Sequence, residues 1–226
     1  MFAPETPMDT LYPPLTDDFY LQDTVQVAQN LLNCLLIRHT AEGWMVGRIS
    51  ETEAYTQNDP ASHTYRGKTE RNASMFRVGG TAYVYFTYGM HHCLNTVTGP
   101  EGFGSGVLLR AVEPILGFEQ LQRNRRTKES LDEKSVADLP RFSRERIKLG
   151  IALCGGPGKL CQAFALNREQ NGLNLRRARD IWVAAAMPEW EVTPREVVAT
   201  PRIGITQAAD TLWRFTLKTD PYLSKK

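Results

Sequence analysis

Several short stretches of this chain carry the apolar and polar spacing of strands, with side chains alternating between two faces. These stretches occupy residues 35–37, 44–55, 81–87, 91–97, 107–112, 203–205 and 213–217. Turn-forming residues, such as Glu42 with Gly43 and the single Gly89, separate consecutive strands. Because strands joined by short turns pair antiparallel, the pattern predicts a mostly antiparallel sheet.

Three other stretches have features of helices. Asp23 occupies a capping position, and Gln26 follows at the spacing of a capping box. Pro114 fits the first turn of a second helix that runs to about Arg126, since proline is favoured at that position. The glycine-rich stretch 155–158 precedes a third helical pattern. Helices and antiparallel strands in one chain predict the α+β class.

The remaining segments read as loops. Residues 57–77 form a long stretch without regular periodicity, which is typical of a functional loop, and residues 127–139 are polar. We found no repeat and no linker, so we expect a single domain over residues 1–226, with residues 1–20 loosely ordered. The predicted architecture is a curved sheet with flanking helices and a protruding β-hairpin.

Composition and charge narrow the class of protein only slightly. The chain has 226 residues, 42% of them hydrophobic and 23% charged, with a net charge of +2, which is ordinary for a globular protein. It contains no run long enough to span a bilayer and no secretory signal, so we expect no membrane association. The four cysteines form no C-x-x-C pair, which predicts reduced thiols and a cytoplasmic or nuclear location.

Basic residues are unevenly distributed despite the small net charge. Such clusters fit either a polyanionic partner or the solvated faces of helices, and charge alone favours the second reading. They comprise Arg123, Arg125, Arg126 and Lys128, then Arg141, Arg144, Arg146 and Lys148, then Arg176, Arg177 and Arg179.

The segment Glu51-Thr52-Glu53 places two carboxylates on one strand face, about 7 Å apart. Strict alternation would put Met45, Ile49 and Tyr55 on that same face. A pair of acids can hydrolyse a glycosidic bond, but the pair alone favours an exposed strand surface. A tyrosine beside the acids favours a semi-buried cleft, where a carboxyl group is tuned for catalysis.

The stretch YVYFTYGMHHCLN raises a second possibility. Tyr83 and Tyr85 share one strand face, and Tyr88 stands immediately before Gly89, where the chain reverses. A stiff aromatic at a hairpin tip can wedge between stacked bases, or it can fold back onto the sheet. In isolation the two readings are equally supported.

Isolated polar residues add weaker signals. His63 in the long loop is either solvated or a stacking surface for a base. Arg110 follows an apolar strand and needs an anionic partner or open water. Gly158 with Lys159 can offer donors to a phosphate, or can simply begin a helix. Asn95 is likewise a polar residue in an apolar strand.

Taken together, four motifs in order resemble those of the alkyladenine, or methylpurine, DNA glycosylase family. The motifs are GRISETEAY, YVYFTYGMHHCLN, GVLLRAVEPI and GPGKLCQAFAL, and the resemblance extends over residues 21–224. It implies a base-flipping repair enzyme that hydrolyses the N-glycosidic bond of alkylated or deaminated purines in double-stranded DNA. We expect no cofactor and no metal; the oligomeric state stays open, with a monomer as the default for an enzyme that scans DNA.

The resemblance also implies roles for single residues. Glu53, not Glu51, matches the general base that deprotonates the attacking water, and Arg110 matches a residue near that water. Tyr55, His63 and Tyr85 match residues that stack on the flipped base, and Asn95 matches the residue that excludes guanine. Tyr88 matches the residue that intercalates into the duplex, while Met90 and Lys159 match residues that bind DNA.

No lysine is expected in the base pocket, so a covalent imine with the sugar is not expected either. Two other functions stay open at this stage. A DNA- or RNA-binding module without catalysis would use the same wedge, but would have no use for a carboxylate in an aromatic pocket. A hydrolase of free nucleosides would need neither the wedge nor the basic clusters.

Overall fold

A computed structural model describes residues 7–87, 89–127, 131–187 and 197–224, and its strands form a single antiparallel sheet. The strands are β1 (Leu35–Thr40), β2 (Gly43–Tyr55), β3 (Ala82–Thr87), β4 (His91–Val97), β5 (Gly106–Leu116), β6 (Ile181–Ala184), β7 (Val197–Thr200) and β8 (Arg214–Leu217). Their spatial order is β3-β4-β5-β2-β1-β6, while β8 pairs with both β2 and β7. Together with the helices, this sheet confirms the α+β class.

Helices precede the sheet and follow its fifth strand. They are α1 (Met8–Leu11), α2 (Asp17–Tyr20), α3 (Thr24–Asn30), α4 (Phe118–Arg125), α5 (Glu133–Ala137), α6 (Arg144–Cys154) and α7 (Pro157–Ala163). Asp23 caps α3 as predicted, because its side chain accepts from the backbone N–H groups of Val25 and Gln26. From residue 7 onwards, the segment predicted to be loosely ordered contains α1 and α2 and buries Tyr20.

The predicted helix start at Pro114 is wrong. Pro114 lies within β5, opposite Gly47 of β2, and α4 begins only at Phe118. Strand β5 continues past Pro114 because β2 is long enough to pair with residues on both sides of the proline. Gly117, at a φ of +85°, then makes the break into the helix in a conformation that favours glycine.

The predicted closing strand at residues 203–205 is also wrong. Strand β7 pairs with β8 instead, and the backbone N–H of Ile203 donates to a side chain of β2. Strand β6 was not predicted, and the described part of the polar segment 127–139 contains α5. Both β6 and β7 have only four residues, too few for an alternating pattern to stand out.

A β-bulge in β2 changes which residues face the same side. The register shifts between Ile49 and Glu51, so that Ser50 is an extra residue. Before the bulge, Met45 and Ile49 face the main core; after it, Ala54 does. The predicted shared face is therefore wrong for Met45 and Ile49. Glu51, Glu53 and Tyr55 lie on the opposite side of the sheet.

The larger core fills the space between one sheet face and the helices α3, α4, α6 and α7. Its members include Ile49, Val84, Leu109 and Phe164. A smaller apolar cluster around Trp182 covers part of the other face. Among the described helices, none combines the length and hydropathy required to cross a membrane. Arg110 of β5 lies outside both cores and lines the site described below.

Candidate active site

A cavity of about 550 Å³ opens beside the ends of strands β2 to β5. That volume lies in the range of pockets that hold small molecules. Its walls come from β2, the loop before β3, the β3–β4 hairpin, β5, the turn before α7 and the segment 203–205. Of the predicted site residues, those lining it are Tyr55, His63, Tyr85, Asn95, Arg110 and Lys159.

One wall of the cavity is aromatic. The rings of Tyr83 and Tyr85 stack with centroids 5.3 Å apart, and His63 meets Tyr85 edge to face at 4.6 Å. The tyrosines share a face because they are two residues apart on β3, while Val84 between them enters the core. The predicted facing of Tyr83 and Tyr85 is confirmed. Burial raises the pKa of Tyr83 to about 12, so the hydroxyl stays protonated.

His63 is brought to this wall by the long loop. Its Nδ1 lies 3.1 Å from the Tyr83 hydroxyl, and its backbone carbonyl accepts from Asn72 Nδ2 at 2.8 Å. Burial lowers the pKa of the His63 imidazole, and the positive charge of Arg71 lowers it further. The ring is thus held in its neutral form, which suits a surface against which another ring packs.

Glu53 lies beneath the cavity with its carboxylate fully buried. Its Oε1 accepts from the N–H of Ile203 at 2.7 Å and lies 3.3 Å from Arg110 Nη1. Its Oε2 accepts from the Tyr55 hydroxyl at 2.8 Å. A carboxylate offers about four acceptor positions. Donors among the described residues take three of these positions, two on Oε1 and one on Oε2. Oε2 can therefore accept one further hydrogen bond, such as one from a water.

Tyr55 connects this carboxylate to the cavity surface. Burial, followed by the Glu53 charge, raises the pKa of the Tyr55 hydroxyl well above its usual range. The Arg202 guanidinium lies 4.6 Å from the centre of the Tyr55 ring and also pairs with buried Asp59. Arg202 Nη1 donates to the Ala54 carbonyl at 2.8 Å, which fixes the guanidinium beside β2.

Asn95 and Cys93 line the cavity from β4. Asn95 is buried, and its Nδ2 donates to the Tyr83 carbonyl at 3.3 Å, so its side chain is fixed against the neighbouring strand. Burial raises the pKa of the Cys93 thiol, despite its hydrogen bond with Tyr85 and the nearby Arg110 charge. Cys93 is therefore a small neutral wall residue.

The structure does not bring all predicted residues to the cavity. Met90 is 71% exposed in the turn of the β3–β4 hairpin, away from the cavity lining. Tyr88 lies outside the described residues. Lys159 lines the cavity, and its Nζ donates to the Ile151 carbonyl at 3.3 Å. The expectation of a pocket without lysine is therefore wrong.

Several residues of the site were not found from the sequence. Asp59 and Arg202 support Tyr55, while Arg214 and Ser224 contact Glu51. The available signal was an arginine in the apolar strand at 213–217, since a charge there needs a partner. Nothing in the local pattern shows that residues so distant in sequence meet.

The fold and site together define an α+β protein with an aromatic-walled cavity beside a buried carboxylate. A family model described as methylpurine-DNA glycosylase matches residues 18–221. A protein of Methanoculleus marisnigri is 43% identical over 92% of this chain and 97% of its own length; one of Carboxydothermus hydrogenoformans is 41% identical over 94% and 99%. Both carry the name "Putative 3-methyladenine DNA glycosylase". The chain belongs to the methylpurine-DNA glycosylase family.

Proposed function

We propose that this chain is a monofunctional DNA glycosylase that flips alkylated or deaminated purines out of duplex DNA and hydrolyses the N-glycosidic bond. The observation that carries the proposal is the Glu53 carboxylate, buried beneath an aromatic cavity and hydrogen-bonded to its tyrosine. A protein that only binds DNA has no use for this charge, because it repels phosphate. The proposed enzyme acts as a monomer and requires no cofactor.

Stacking supplies the proposed recognition of the flipped base. Removing a base from the helix costs a few kcal/mol, and stacking on an aromatic side chain returns about 1–3 kcal/mol per base. Tyr55, His63 and Tyr85 are the proposed stacking residues, and fixed Asn95 is proposed to exclude guanine. Tyr88 is the proposed wedge that fills the gap in the duplex, with Met90 and Lys159 contacting DNA.

Glu53 is the proposed general base. It removes a proton from water as the oxygen bonds to C1′ of the sugar, while the electron pair of the N-glycosidic bond leaves with the purine nitrogen. A purine that carries a positive charge departs as a neutral base and needs no further proton. A neutral lesion such as hypoxanthine must gain a proton on its ring. Arg110, 3.3 Å from Glu53, is proposed to help hold the water.

Lys159 is the lysine in the lining of the cavity, and its amine offers an alternative to hydrolysis by water. A lysine amine can form an imine with the opened sugar. We favour hydrolysis, because Lys159 Nζ is engaged by the Ile151 carbonyl at a helix end. Borohydride reduction during the reaction separates the two chemistries. A covalent protein–DNA adduct that disappears in Lys159→Met would contradict the monofunctional proposal.

The deciding experiment measures release of 3-methyladenine, 7-methylguanine, hypoxanthine and ethenoadenine from duplex DNA with enzyme in excess. Glu53→Gln should lower the release rate at least about 100-fold, the usual contribution of a general base, and should retain DNA binding. Glu113→Gln is the matched control, because Glu113 is also fully buried and bound by arginines, but lies outside the cavity lining.

Three outcomes would reject the proposal. Normal excision by Glu53→Gln would show that this carboxylate is not the base. Release from free nucleosides as fast as from duplex DNA would favour a nucleoside hydrolase. Duplex binding with no release of any of the four bases would favour a binding module.

A further inference from the structure

Glu51 lies two residues before Glu53 and is fully buried, yet the proposed reaction gives it no role. Its Oε1 accepts from Arg110 Nε at 2.9 Å and from Arg214 Nε at 2.6 Å. Ser224 donates twice, from its Oγ to Oε1 at 2.9 Å and from its N–H to Oε2 at 2.7 Å. One carboxylate thus joins β5, β8 and the C-terminal segment.

These contacts fix the orientation of Arg110. Its Nε is held by Glu51, and its Nη2 donates to Ser224 Oγ at 3.2 Å. The remaining nitrogen, Nη1, lies 3.3 Å from Glu53 Oε1 and belongs to a side chain that lines the cavity. Rotating the planar guanidinium to present a different edge to Glu53 would break both other contacts.

We propose that Glu51 and Ser224 are positioning residues, which hold the Arg110 guanidinium so that it touches Glu53 through a single nitrogen and does not take up the further acceptor position of Glu53 Oε2. This inference rests on the proposed function of the cavity. Without Glu51, Arg110 would form a two-pronged pair with Glu53, the geometry that guanidinium and carboxylate prefer. That pair would occupy the acceptor position needed by the water.

Charge balance supports the same arrangement. Two buried carboxylates, Glu51 and Glu53, face two guanidiniums, Arg110 and Arg214. Burial by itself would lower the pKa of Arg110, but the charges of Glu53 and Glu51 together raise it. Both acids are therefore needed to keep two cations buried next to the cavity.

The test compares Glu51→Gln with Glu113→Gln. Both changes remove one buried carboxylate that binds two arginines, but only Glu51 contacts Arg110. We expect Glu51→Gln to release damaged bases roughly 100-fold more slowly at saturating enzyme, since a misplacement of about 1 Å costs that much. Affinity for lesion-containing DNA should change less than threefold, and Glu113→Gln should react like the wild type.

A double variant separates positioning from a general loss of structure. If Glu51 acts through Arg110, then Glu51→Gln combined with Arg110→Met should be no slower than Arg110→Met alone. Losses that multiply in the double variant would overturn the inference. Equal rates for Glu51→Gln and Glu113→Gln would overturn it as well.

Ser224→Ala provides a milder variant in case Glu51→Gln does not fold. Its control is Ser50→Ala, because Ser50 Oγ donates to the Tyr222 carbonyl at 2.5 Å and ties down the same segment without touching Arg110. Ser224→Ala should slow base release about tenfold more than Ser50→Ala. Equal rates would reject the positioning role. An inactive wild-type protein would instead reject the proposed function itself, so the two failures are distinguishable.

Discussion

At the scale of single residues, the charged groups next to the Tyr55 ring affect how the ring can interact with a cationic ligand. The guanidinium of Arg202 lies between Tyr55, at 4.6 Å, and Trp213, at 5.3 Å. An unpaired cation on one face of a ring weakens its attraction for a cationic ligand on the other. The buried carboxylate of Asp59 neutralises Arg202. Under the proposed function, this neutralisation preserves the attraction of the Tyr55 ring for a charged purine, while Arg202 gives the ring a rigid support.

The neutral state of His63 leads to a prediction about pH. Because burial and Arg71 lower its pKa in the folded protein, the unfolded chain binds more protons as the pH falls below about 6.5. Stability should therefore be lost on acidification through that range. His63→Gln should unfold with a smaller difference between about pH 8 and pH 5.5, as measured by urea denaturation.

The control for His63 is His39→Gln, since His39 lies outside the cavity lining and should leave the slope unchanged. Part of the slope should remain in His63→Gln, because burial and Arg168 also lower the pKa of His92. An unchanged pH slope in His63→Gln would contradict an imidazole whose pKa is lowered in the folded protein.

At the scale of the elements, the hairpin of β3 and β4 supports much of the proposed DNA contact. Gly89 in its turn has a φ of +66°, and a Cβ there would meet nothing within 4 Å. Gly89→Ala should therefore cost stability through backbone strain alone, about 1 kcal/mol. We also expect weaker binding of lesion-containing duplex, because the strained turn displaces the residues on either side.

Gly102→Ala is the matched control for this prediction. Gly102 has a φ of +91° and equally open space, but belongs to the turn between β4 and β5. Thermal unfolding should show similar losses for both variants, while fluorescence anisotropy with lesion DNA should show weaker binding only for Gly89→Ala. Equal binding losses would show that the hairpin tip has no special role.

The same elements show how far the sequence predicts the fold. The strands with clear alternation, such as β2 and β4, were predicted nearly to their ends, and Asp23 was correctly assigned as a cap. The prediction failed at Pro114 and at residues 203–205, where tertiary pairing overrides local preference. A bulge at Ser50 cannot be read from periodicity, because it is defined by the partner strand.

The sequence predicts the candidate site about as completely as it predicts the fold. Glu53, Tyr55 and Tyr85 stand in recognisable motifs, His63 stands in the long loop, and the structure places them at or beneath one cavity. The supporting residues Asp59, Arg202 and Ser224 escape prediction because their roles depend on contacts more than a hundred residues apart in the chain. Sequence patterns find the side chains that face a ligand more readily than those that hold them.

At the scale of the whole molecule, many basic residues serve the fold itself. Arg141 pairs with buried Glu113, Arg146 donates to two backbone carbonyls, and Arg176 pairs with Asp17. The clusters in the sequence therefore overstate the charge available to DNA. With a net charge of only +2, affinity for duplex DNA must depend on a few basic residues near the cavity.

Lys159 is the residue at which this distribution of charge is best tested. It lines the cavity, so removing its charge should remove about one phosphate contact and reduce the slope of log affinity against log salt by roughly 0.9. Lys134→Met is the control, since Lys134 is exposed on α5 and outside the cavity lining. Titrations of duplex DNA from low to moderate salt should give a shallower slope for Lys159→Met than for Lys134→Met. Because the phosphate term does not depend on the base, the affinity loss should be equal for damaged and undamaged duplex. A loss confined to damaged DNA would instead place the Lys159 ammonium against the flipped base.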